Sequence, residues 1–185
     1  MHPDTSLDTD AVDRSSSRAA RSTEPETSLL LSSLNNQREH VLGILDGLPD
    51  DALRRPVLPS GWTCLGMVKH LTISDERFWF RGIVAGEPID LTTSDEAAAA
   101  AWQVDPGVPA AAVFGAYRRE IALADAIIAA TPLGTPPARW PSELWPNWRL
   151  RDLREVILHV ITETACHAGH LDAVRELIDG RTWVT

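Results

Sequence analysis

The sequence is poor in cysteine, nearly devoid of lysine and free of long apolar runs. Two cysteines, Cys64 and Cys166, in 185 residues exclude a disulfide-stapled scaffold and fit a reducing, cytoplasmic setting. No apolar stretch approaches the roughly 18 residues that a membrane-spanning helix needs. Lys69 is the only lysine, so nearly all of the 17 basic residues are Arg, and they face 26 acidic ones. A net charge of −9 and a pI near 5.0 argue against nucleic acid and anionic membrane as partners, because phosphate surfaces call for a basic face. What is present is a chain of one-domain length with 44% apolar residues, enough to bury a core.

Residues 1–27 are rich in Ser, Thr, Asp, Glu and Arg, with little bulky apolar content. Such a segment cannot offset its ordering entropy, and a disordered tail is expected there. It has no apolar core of the kind a signal peptide carries. From Ser28 onward, Leu30, Leu34, Val41, Leu42 and Leu45 recur at helical spacing, with Ser28 as a possible cap and Gly47 and Pro49 as the stop. Thr63 is the expected N-cap of a second helix over about 64–85, whose apolar stripe reads Met67, Leu71 and Phe78, and which Gly86 and Pro88 end. A third helix is expected from about Pro109 to Ala130, with Val113, Tyr117, Ile121, Ala124 and Ile128 on its inner face. Residues 131–149, with five prolines and three tryptophans, read as an ordered aromatic loop packed on the bundle. In the fourth helix Leu153, Ile157, Val160, Thr164, His167, Leu171, Val174 and Ile178 alternate steps of four and three, and Gly180 closes it. With no strand signal, the prediction is an all-α four-helix bundle over 28–185 with a disordered N-terminal tail. The long second and third connections allow a crossover topology.

His167 sits on the core seam of the fourth helix, and Glu163 lies one turn earlier on nearly the same face. His70 flanks the apolar stripe of the second helix and can face them. Together they would make a His2Glu set, which with an open fourth position is the form of a catalytic zinc site. Such ligands also suit Ni2+, Co2+ or Fe2+. The same residues also read as an ordinary i,i+4 hydrogen bond and a satisfied core histidine. His159 and His170 fall in the same broad sector and are candidates to orient the ligands or to replace Glu163. Cys64 stands at a helix N-terminus, where a thiolate is favoured, although small buried hydrophobes are the commoner fate of free cysteines. Arg77, Arg81, Arg154 and Arg175 could recognise a carboxylate. The adjacent acids Asp75 and Glu76 are candidates for proton handling, but read more simply as a surface pair.

Two segments, 61-GWTCLGMVKHL-71 and 153-LREVILHVITETACHAGHLDAVRELIDG-180, resemble the DinB-like superfamily. They are closest to its branch of mycothiol-dependent maleylpyruvate isomerases and thiol S-transferases. The resemblance spans about residues 28–180. It implies a four-helix bundle with a crossover connection and a divalent metal held by one His of the second helix and a Glu-x-x-x-His pair of the later one. Those positions are His70, Glu163 and His167 here. The resemblance also implies a low-molecular-weight thiol as cosubstrate, mycothiol if the source is actinobacterial, and an electrophilic partner such as an enone, epoxide or alkyl halide. The metal would activate the thiol, and the outcome would be S-transfer or isomerisation. A hydrolase using metal-bound water and a non-enzymatic metal- or ligand-binding protein are the alternatives. Homodimerisation is left open by the sequence.

Overall fold

The computed structural model describes residues 9–89 and 99–183, with side chains from Glu26 onward. Helix α1 runs Thr9–Leu45. A short α2, Asp50–Arg54, follows. Helix α3, Cys64–His70, continues without a break into a π-helical segment, π1, Leu71–Val84. Helix α4 is Ala110–Ala130 and α5 is Leu153–Asp179. The described residues contain no strand. Residues 1–8 of the expected tail lie outside the described residues, and residues 9–25 carry no described side chains. Ser28 does not cap α1, because the helix is already under way at that point. Glu26, counted with the tail by composition, instead accepts hydrogen bonds from the Arg154 guanidinium of α5.

The expected helix punctuation is otherwise present, and each stop has a local cause. Thr63 Oγ1 accepts from the Gly66 N–H at 3.0 Å, satisfying one of the free donors of the first turn. Gly47, Gly86 and Gly180 take positive φ of 77°, 70° and 81°, the left-handed geometry that ends a helix without a Cβ penalty. Asp152 Oδ1 accepts from the Glu155 N–H at 3.0 Å and starts α5. Asp152→Ala is therefore expected to cost about 1 kcal/mol, measured as a lowered urea midpoint at unchanged m-value. At the other end of the bundle Arg175, buried, donates to the Ile44 and Asp46 carbonyls at 2.8 and 2.9 Å and so caps α1 from a neighbouring helix.

Side-chain pairs fix the topology. Glu26 meets Arg154, His40 meets Asp172 and Arg175 meets Ile44, so α1 and α5 run parallel. Arg38 meets Asp125, and Leu42 and Leu45 line one pocket with Phe114 and Arg118, so α1 and α4 run antiparallel. His70 faces His167 and Trp79 faces His159, so α3–π1 and α5 are antiparallel. It follows that π1 and α4 are parallel, and the connection between them is the crossover that the sequence allowed.

The core is split into two apolar halves. One gathers Val41, Ile44, Leu65, Met67, Leu71, Tyr117 and Leu171. The other gathers Leu34, Trp79, Phe80, Ile83, Ile128 and Ile157. Between them on three of the main helices stand buried polar residues: Arg38 between Leu34 and Val41, Thr72, Asp75 and Glu76 between Leu71 and Trp79, and Thr164 between Val160 and Ala168. A polar layer thus crosses the middle of the bundle.

Candidate functional site

The second-helix stripe departs from the sequence reading, and the departure builds the site. In π1 the buried positions are Leu71 and Thr72, Asp75 and Glu76, Trp79 and Phe80, and Gly82 to Val84, groups that begin every three or four residues. The wider helix makes i→i−5 bonds such as Ala85 N–H to Phe80 O at 2.9 Å. Its larger number of residues per turn brings Glu76 round beside Leu71, where at about 100° per residue it would stand well away from it. Asp75 and Glu76 are consequently 4% and 1% exposed. They are not the surface pair that helical spacing suggested, and Phe78 is only half-buried at the edge of the stripe.

The helices bring His70 and His167 together. Their ring centroids are 5.0 Å apart, edge to face at 78°. Both rings are half-buried, and among the described residues neither Nδ1 has a hydrogen-bond partner. Burial, and then His167, push the His70 imidazole down to about 4. Burial also lowers His167, while Glu163 pulls the other way and His170 adds to the lowering. Both imidazoles are therefore neutral at pH 7, with lone pairs available. Glu163, half-buried, sits one turn from His167 on α5 and acts electrostatically on His167, His159 and Asp75. Among the described residues, no three His, Cys, Asp or Glu side chains already converge as a metal cage.

Aromatic rings wall the site on both sides. Trp102 stacks on His70 at 3.9 Å and 14°. It is brought there by Lys69, the sole lysine, whose Nζ donates to the Ala100 and Gln103 carbonyls at 2.8 and 2.6 Å. A cavity of about 350 Å³, lined by Arg54, Thr63, Leu65, Trp102 and Gln103 among others, opens beside the same indole. On the other side His159 packs edge-on against Trp79 at 4.6 Å and tilts against Trp148 at 5.5 Å. The Pro- and Trp-rich loop packs on the bundle as expected. Trp140, Trp145 and Trp148 all contact Trp79, and the Ala138 and Arg139 N–H groups donate to the last carbonyls of π1.

The remaining candidates take other places. His170 is exposed, with its ring 5.8 Å from that of His167 and its Nδ1 4.0 Å from Cys166 Sγ. Cys64 is buried, and burial pushes its thiol up to about 11, so desolvation outweighs the helix N-terminus and no reactive thiolate stands there. Arg81 pairs with Glu87 and Glu120, Arg154 with Glu26 and Asp152, and Arg175 with Asp179. Arg77 is exposed. Sequence reasoning missed Arg38, and although Trp102 was among the tryptophans that could line a pocket mouth, nothing singled it out as the cover of His70. Arg38 gives no signal in a helix otherwise read from its leucines, and Trp102 acts through a loop.

With this geometry in view, the comparison with protein families is informative. The mycothiol-S-transferase family model matches residues 29–180. The chain belongs to that family. Through it the chain also belongs to the DinB/YfiT-like superfamily. No curated protein matches the chain. Membership points to a mycothiol-dependent S-transferase, with mycothiol as cosubstrate and an electrophile as second substrate. No helix among the described residues is long and apolar enough to cross a membrane.

Proposed function

We propose that this family member joins the thiol sulfur of mycothiol to an electrophilic carbon in the cleft between α3–π1 and α5, with a divalent metal, zinc foremost, held by His70, Glu163 and His167. The observation that carries this reading is the His70–His167 pair: two neutral imidazoles in edge contact across a helix interface, each with an Nδ1 that is unpartnered among the described residues. The donor set fits such an ion, since borderline nitrogen and oxygen ligands suit Zn2+, with Ni2+, Co2+ or Fe2+ as alternatives. When bound, a divalent cation supplies the acidity that lets a thiol lose its proton at neutral pH.

The rest of the chemistry falls to the chain. His70 and His167 remain unprotonated because burial disfavours their charged forms. Trp102 shields one face of His70 from water and fixes the ring plane. The Trp79–Trp148 wall around His159 offers an apolar surface to the electrophile, and the cavity beside Trp102 gives room for a small molecule. In the transfer step the thiolate sulfur supplies the electron pair of a new C–S bond, and the leaving group departs with the pair of the bond it loses. His159 and His170, one turn from Glu163 and His167 along α5, would be the residues that orient the ligands.

The test is elemental analysis together with a thiol-dependence assay. Wild-type protein is expected to hold about one equivalent of metal and to turn over electrophiles only when thiol is added. His167→Ala is expected to lose both properties while keeping its helical circular dichroism. A wild-type protein that takes up no metal, even after incubation with Zn2+ or Ni2+, would sink the metal reading. Turnover without thiol would sink the transferase reading.

A further inference from the structure

The antiparallel pairing of π1 with α5 has a register. His70 faces His167 with ring centroids 5.0 Å apart, and Trp79 faces His159 at 4.6 Å. Between these two contacts lie Asp75 on π1 and Glu163 on α5. Asp75 follows His70 by one turn of the wide helix and precedes Trp79 by four residues, while Glu163 is four residues from both His159 and His167. The two acids are thus bracketed on facing helices, and burial first, then the charge of Glu163, disfavours the ionised Asp75 carboxyl.

Asp75 is 4% exposed, and among the described residues its Oδ2 has no hydrogen-bond partner. The guanidinium of this layer does not serve it, because Arg38 is engaged by both oxygens of Glu76, by Asp125 and by Asn35. A buried carboxyl that faces a half-buried one and has no cation beside it among the described residues is costly. A shared proton would relieve the acids alone. A divalent cation would also engage the two imidazoles, whose Nδ1 atoms stand unpartnered at the same interface.

We propose that Asp75 is the fourth side chain of the divalent-metal site, its carboxylate acting with Glu163 to hold the cation that His70 and His167 ligate. The inference rests on the metal reading above and extends it: two carboxylates with two neutral imidazoles match a divalent charge, where Glu163 alone would leave it half-compensated. Asp75 would be retained for metal binding at the expense of the stability of the metal-free fold.

The experiment measures Zn2+ affinity of the full chain by competition with a chromophoric chelator, and thermal melting of the metal-free protein. Wild type is compared with Asp75→Asn, and with Asp75→Ser as a second variant should the first fail to fold. The expected result has two parts with opposite signs. Zn2+ affinity falls about 10- to 100-fold, while the metal-free variant melts at the wild-type temperature or above it, because an uncompensated buried acid has been removed. Wild-type affinity in the variants overturns the assignment of Asp75 and leaves His70, Glu163 and His167 standing. Affinity and metal-free stability falling together also overturn it, since that is the mark of a structural role. Absence of Zn2+ binding by the wild type overturns both readings.

Discussion

Arg38→Ala is expected to destabilise the fold by about 3–5 kcal/mol, a large share of the roughly 5–15 kcal/mol that holds a domain together. The guanidinium is 2% exposed. Its Nε and Nη2 donate to the two oxygens of Glu76 at 2.7 and 2.6 Å, and its Nη1 donates to Asp125 and Asn35 at 2.7 Å each. Truncation removes the guanidinium that pairs with Glu76, itself 1% exposed, and leaves a buried carboxylate beside Asp75. The loss of packing adds a second term, because the Arg38 stem fills space between Leu34 and Val41. Urea unfolding followed by circular dichroism measures the cost. The double replacement Arg38→Met with Glu76→Leu should lose far less, since it removes both charges and keeps the volume. A single variant within about 1 kcal/mol of wild type would show that water reaches the layer and solvates Glu76.

Gly66→Ala is expected to lower thiol-dependent turnover about 100-fold while the helices remain intact. In a helix interior this exchange ordinarily stabilises by up to about 1 kcal/mol. Here the new Cβ would stand 2.2 Å from the Trp102 carbonyl oxygen and 3.1 Å from Thr63 Oγ1. The Trp102 backbone cannot lean away freely, because Lys69 holds the carbonyls of Ala100 and Gln103 on either side of it. The segment must therefore shift as a unit, which takes the indole off the His70 ring that it covers at 3.9 Å. Steady-state kinetics beside a thermal melt separate the two effects: folding is preserved, and turnover is lost. Unchanged turnover would reduce Trp102 to a packing residue.

The parts of this protein that were legible in the sequence are those set by local rules. The Thr63 cap, the glycine stops at Gly47, Gly86 and Gly180, and the seam from Leu153 to Ile178 each depend on residues within a few positions of one another. The approach of His70 to His167 was legible too, since each flanks or joins an apolar stripe and two such stripes pack together. Short α2 was missed because the Pro-punctuated connection masks a single turn and a half. Asp75, Glu76 and Arg38 were misplaced or missed for a different reason. At about 100° per residue Asp75 lies only at the edge of the stripe of Met67, Leu71 and Phe78 and Glu76 falls off it, and the wider turn of π1 brings Glu76 back beside Leu71. Their burial depends on partners from α1 and α4 that no local pattern reveals.

That wide turn also bears on how this chain can be lined up with its relatives. Residues in π1 are counted out more slowly around the axis than in an α-helix, so a relative with ordinary winding needs fewer residues to cover the same arc. The residues beyond would keep their facing, while the numbers of residues separating His70 from the acid, the indole and the end of the helix would each be smaller. Two family members could then hold the same side chains in the same places while differing at every offset from the histidine. Aligning them without a gap would pair Asp75 with a neighbour that points elsewhere. For this helix, equivalence is a matter of facing positions on α5, and the length of the intervening chain is a poor guide to it.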